Sequence, residues 1–147
     1  MKFLTNLLFL IAGGLFVTQY VLSAPLISAK EADLPVASQA LPTRGISRGP
    51  SVKLNSPEAD TPVASPFDLK VTFEARGDAK IDPDSIKVIY MKSPIVDLTP
   101  RLRKSITVSG IDFLKAEVPP GSHAIKVTVK DTDGRETNSV LNIIVSK

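Results

Sequence analysis

From Phe67 to Glu74 apolar and polar residues alternate without a break. Phe67, Leu69, Val71 and Phe73 share one side; Asp68, Lys70, Thr72 and Glu74 share the other. Successive side chains of an extended chain point to opposite faces, so the pattern predicts a strand with one face in a core and one in water. Three further segments repeat it. Ile86, Val88 and Tyr90 point inward from residues 85–91, Ile125, Val127 and Val129 from 124–130, and Leu141, Ile143 and Val145 from 140–145. Shorter candidates lie at 52–54, 105–108 and 113–118. Turn chemistry falls between them, at Asn55-Ser56-Pro57, Asp82-Pro83-Asp84-Ser85, Pro119-Pro120-Gly121 and Asp133-Gly134. Proline fixes φ, glycine accepts positive φ, and Asp and Asn bond their own backbone, so each cluster punctuates strands. Asp133-Gly134 predicts the hairpin that joins the last two strands. No segment of this region has a helical period, and 99–104 has room for one helical turn at most.

About seven short strands separated by such turns predict an all-β fold, a single two-sheet sandwich of antiparallel strands over residues 51–147. The run from Pro120 to Gly134 reads P-G-S-H-A-I-K-V-T-V-K-D-T-D-G. It resembles a signature of bacterial immunoglobulin-like and fibronectin-III-like domains, and Asp82-Pro83-Asp84-Ser85-Ile86-Lys87-Val88 resembles a strand start in the same group. The resemblance implies an immunoglobulin-like β-sandwich outside the cytoplasm. It implies little about activity, because one such fold hosts many functions. The antibody pattern of paired cysteines and a core tryptophan is absent, with Tyr90 the nearest bulky substitute.

The N-terminus follows a different pattern. Met1-Lys2 gives a positive start, and Phe3 to Leu22 carries no charge. Small residues Ser23 and Ala24 come next, which is the order of a secretory signal, expected to be helical, over 1–23. Cleavage is expected after Ser23, since a cut after Ala24 would place Pro25 behind the scissile bond; a cut after Ala29 is the alternative. About 20 uncharged residues also suffice to span a bilayer, so an uncleaved inner-membrane anchor is the other reading. Residues 24–50 hold Pro25, Pro35, Pro42 and Pro50 among scattered Ser, Ala and Gly. With no period of 2 or 3.6, they are expected to form a flexible spacer.

Composition narrows the chemistry. The chain has no cysteine, which excludes disulfides, thiolate zinc sites and a lipid-modified N-terminal cysteine. The formal charge of +3 falls by one if Lys2 is removed. Lys and Arg mostly alternate with Asp, Glu and Thr, unlike the clustered face of a nucleic-acid binder, so no nucleic-acid partner is expected.

Candidate site residues are few. Gly45-Ile46-Ser47-Arg48-Gly49 matches G-x-S-x-G, but a nucleophile elbow needs a strand before it, a helix after it and a histidine partner. The sole histidine, His123, shares its parity with Ile125 and Val127 and is expected inside as a packed, hydrogen-bonded residue. Asp131 and Asp133 resemble the start of a calcium loop, although a full site takes 6–8 oxygens; a hairpin turn explains them as well. Arg101, Arg103 and Lys104 form the densest basic cluster and are candidates for an anionic ligand such as phosphate or an acidic glycan. Asp82 and Asp84 make turn residues rather than an acid/base pair. No catalytic residue, metal ligand set or cofactor is expected. The reading is an exported, periplasmic or extracellular, non-enzymatic interaction or scaffolding module of the bacterial envelope, with an envelope protein or glycan as partner. It meets the membrane only through the N-terminal segment if that is retained. The alternative is a calcium- or glycan-binding module that uses loops at one end of the sandwich.

Overall fold

A computed structural model describes residues 24–38 and 48–147. The expected signal segment 1–23 and the Gly45-Ile46-Ser47 part of the G-x-S-x-G match lie outside the described residues. The strands are β1 (Ala24–Pro25), β2 (Ser51–Ser56), β3 (Pro62–Val63), β4 (Phe67–Glu74), β5 (Ile81–Tyr90), β6 (Val96–Asp97), β7 (Ile106–Thr107), β8 (Gly110–Glu117), β9 (Gly121–Asp131) and β10 (Glu136–Val145). Two single helical turns accompany them, α1 (Ala29–Ala32) and α2 (Thr99–Leu102), the second continued by a 3₁₀ turn at Arg103–Ser105.

The strands form two sheets. One runs β1-β8-β4-β2, with β7 also on β8; the other runs β3-β10-β9-β5-β6. The long pairs are antiparallel, whereas β1 on β8 and β3 on β10 are parallel two-residue edges. The expectation of antiparallel strands throughout is corrected at those two edges. Each expected strand is present, and the alternation places the core. Leu69, Val71 and Phe73 of β4 and Ile111 of β8 face Ile86, Val88, Tyr90, Ile125, Val127, Val129, Leu141 and Ile143 of the other sheet, and all are buried. Each such aliphatic contributes about 1.5–3 kcal/mol when taken from water.

Local chemistry fixes the joins. Gly110 starts β8 at φ 154°, against the Val71 carbonyl, where any side chain would collide. Gly134 holds φ 76° in the expected β9–β10 hairpin. The Asp82-Pro83-Asp84-Ser85 stretch, expected as a turn, instead lies within β5 as a bulge between Asp82 and Lys87. Proline lacks the N–H a ladder needs, so a bulge accommodates it in a strand. Ser85 Oγ repairs the ladder by accepting from Lys130 N at 2.9 Å and donating to Asp82 O at 2.6 Å.

The expected spacer is the larger correction. Residues 24–38 lie on the sandwich as a strap. Leu26 and Ile27 are 0% and 2% exposed and belong to the core, and both N–H groups donate to Glu117 O at the end of β8. The strap then crosses to the second sheet, where Val36 pairs with Lys92 just past β5. Ala37 N donates to Met91 O at 3.1 Å, and Ser93 N to Pro35 O at 2.8 Å. The domain therefore includes residues 24–38, not only 51–147. Two buried apolar side chains and a row of backbone bonds offset the ordering entropy that the composition alone left uncompensated.

Candidate functional site

The basic cluster sits on α2 and the turn after it, where Pro100 lies in the first turn of the helix and Leu102 anchors it in the core. Arg101 leaves this turn toward the strap. Its Nη1 and Nη2 donate to Glu31 Oε2 and Oε1 at 2.9 and 2.6 Å, and Nη1 also donates to Leu26 O at 2.7 Å. Glu31 is held ready by α1. Ser28 caps that helix, accepting from Glu31 N while its own N–H donates to Glu31 Oε2 at 2.8 Å, a reciprocal capping box. The Arg101 fork, seconded by the Ser28 bonds and opposed by partial burial, lowers the Glu31 pKa from 4.5 to about 2. The guanidinium expected to face an anionic ligand thus holds a carboxylate of its own chain.

The other two cations go elsewhere. Arg103 pairs with Asp84 at 3.2 Å on the exposed side of β5, and Lys104 is exposed. Arg101 and Arg103 thus turn to different carboxylates, Glu31 and Asp84.

A buried polar chain runs from the strap into the sandwich. Lys92 is 8% exposed and has no carboxylate partner among the described residues. Its Nζ donates to Ala32 O at 2.7 Å and Leu34 O at 2.9 Å, carbonyls at and beyond the end of α1. It also stands 5.4 Å from the centre of the Tyr90 ring, a cation–π contact. Tyr90 Oη lies 2.8 Å from His123 Nδ1, and His123 Nε2 lies 2.8 Å from Pro119 O. A carbonyl only accepts, so Nε2 carries the proton, Nδ1 is bare, and the tyrosine donates to it. Burial pushes the His123 pKa below its ordinary 6.5; the Pro119 carbonyl opposes this and the Lys92 charge adds to it. Burial, with the Glu31 charge second, pushes the Tyr90 hydroxyl up to about 12. His123 lies inside, with both ring nitrogens bonded.

At the hairpin, Asp131 is buried and its oxygens are taken. Oδ1 accepts from Asp133 N at 3.0 Å and Arg135 N at 2.9 Å, and Oδ2 accepts from Arg135 Nε at 2.8 Å. Burial alone would raise the Asp131 pKa, but the Arg135 bonds outweigh it and hold the carboxyl below the ordinary range. Asp133 meets Arg135 Nη2 at 2.9 Å. The arginine therefore sits between the two carboxylates proposed for calcium, and an ion there would have to displace it. No three His, Asp or Glu side chains gather as a metal site among the described residues, and no helix among them is long and apolar enough to cross a membrane.

Sequence reasoning missed Glu31, Ser28 and Lys92. The signal for the first two was present, because Ser28-Ala29-Lys30-Glu31 has the S-x-x-E spacing of a capping box. Lys92 carried none, since a lysine's burial depends on what folds over it.

Two facing sheets, with the chain changing sheet between β4 and β5, between β6 and β7 and between β8 and β9, define a β-sandwich. No family model matches the chain, and no curated protein matches it. Among solved structures, fibronectin(III)-like modules of Clostridium thermocellum CbhA are similar at 20% identity and a TM-score of 0.35, over 65% of this chain and 97% of that one.

Proposed function

We propose that the chain is an exported, non-enzymatic interaction or scaffolding module of the cell envelope. The observation that carries this reading is the strap. Cleavage after Ser23 would release a chain whose first residues, Ala24–Pro25, are already β1. Cleavage after Ala29 would strip Leu26 and Ile27 from the core and cut α1. A cut after Ser23 would thus leave residues 24–38 of the strap whole, and a cut after Ala29 would not. If the N-terminal segment is instead retained as an anchor, the strap leaves no spacer, and the sandwich stands directly at the membrane.

The non-enzymatic part rests on how the polar side chains are used. His123, Tyr90, Lys92, Arg101 and Asp131 each hold the fold together. Catalysis needs such groups converging on one open cleft.

The test is recovery of the full chain, tagged after Lys147, from cells treated with a crosslinker. The expected product starts at Ala24 and is crosslinked to an envelope component. A chain that stays in the cytoplasm, or an exported monomer that crosslinks to nothing, would overturn the proposal.

A further inference from the structure

The outer face of the second sheet carries more lysine charge than its one lining carboxylate, Glu136, offsets. Lys126 and Lys130 project from β9, four residues and about 13 Å apart along an extended strand. Lys87 of β5 pairs in register with Thr128, midway between them on the neighbouring strand. Together with Ser85, Thr128, Glu136 and Asn138 these lysines line a groove of about 320 Å³. Thr128 Oγ1 donates to Asn138 Oδ1 at 2.6 Å, and Asn138 Nδ2 to Glu136 Oε1 at 3.0 Å, so the floor is an ordered polar ladder.

Lys130 pairs with Glu136 at 3.2 Å, while Lys87 and Lys126 have no carboxylate within ion-pair distance among the described residues. Two rim acids are engaged elsewhere: Asp82 Oδ1 accepts from Asp84 N and Asp97 Oδ1 from Thr99 N. The outer face of the first sheet lacks this bias, because Lys53 and Lys70 stand there among Asp68, Glu74 and Asp112, all exposed. No aromatic side chain lines the groove, so neither a neutral sugar ring nor a base has a platform to stack on. Recognition on this face rests on charge together with hydroxyl and amide hydrogen bonds.

We propose that this face binds an acidic polysaccharide, with Lys87 and Lys126 holding successive carboxylates and Thr128 and Asn138 meeting sugar hydroxyls. The proposal names a partner class for the exported module and rests on that reading for its choice of glycan over nucleic acid. The test titrates the chain from Ala24 to Lys147 with polygalacturonate oligosaccharide, a neutral galactan of equal length, and polyphosphate. The expected result is salt-sensitive binding of polygalacturonate alone. It should weaken about tenfold or more in Lys87→Glu/Lys126→Glu and by less in Lys87→Gln/Lys126→Gln. Lys53→Glu/Lys70→Glu on the opposite face should bind as the parent does. Melting curves identify any variant that fails to fold, in which case the Gln pair decides. Absence of binding, equal binding of polyphosphate, or equal loss in the opposite-face variant overturns the proposal. A crosslinked protein partner recovered alongside a negative titration would overturn this inference alone and leave the module reading standing.

Discussion

Arg101 and Glu31 show how a pair of side chains decides what a segment does. Glu31 is largely covered, and the guanidinium meets it through two parallel bonds, the geometry that makes an ion pair worth more than its surface average. Replacing Glu31 with Gln should cost about 1–2 kcal/mol of stability at neutral pH, measured by denaturant unfolding. The folded-state pKa of Glu31 is about 2 against an ordinary 4.5. Its contribution is therefore complete above pH 4.5 and is lost as pH falls toward 2, and the Gln variant should lack that part of the acid transition. His123 sets a second pH dependence. Its pKa is lowered in the fold, so the unfolded chain takes up the proton first, and stability should decline once pH drops below the ordinary 6.5. A histidine NMR titration should place the folded midpoint under 6.5. A midpoint above it would contradict the bare Nδ1 that accepts from Tyr90.

Elements whose residues alternate were legible in the chain; elements fixed by distant partners were not. β4, β9 and β10 have one face in the core and one in water, so period 2 marked them and their inward residues. The inward parity of His123 was legible for the same reason. The strap has only Leu26 and Ile27 to bury, adjacent rather than alternating, between prolines, and its bonds come from Glu117, Lys92 and Arg101 far along the sequence. No local pattern encodes that. The two-residue edges β1 and β3 are likewise set by the strands beside them, and the β5 bulge hid behind residues that read as a turn. The basic cluster was visible, but its orientation was not, because Arg101 turns toward a carboxylate seventy residues away. Deleting residues 24–38 while keeping 48–147 should cost about 3–5 kcal/mol, from two exposed core contacts and a lost clamp. That is a large share of what a domain of this size possesses. A deletion that melts with the parent would make the strap an ornament.

At the scale of the molecule, the strap is a cross-brace. It starts at the end of β8 in one sheet, contributes Leu26 and Ile27 to the space between the layers, and ends against Met91–Ser93 beside the other. A sandwich without disulfides must hold its two sheets together by packing, and residues 24–38 contribute to that packing here. The residues that follow the expected cleavage position belong to this brace. The strap leaves the outer face of the β5-β9-β10 layer open, with Lys87 and Lys130 exposed and Lys126 half-buried.

Hydrogen exchange at the Leu26 and Ile27 amides, in the chain from Ala24 to Lys147, tests the strap most directly. Both amides donate to Glu117 O, so exchange should be slowed by at least about a hundredfold relative to an unstructured chain, and should quicken in Arg101→Ala. Exchange at the unstructured rate in the parent protein would show that residues 24–38 are a tail and that the sandwich begins after them.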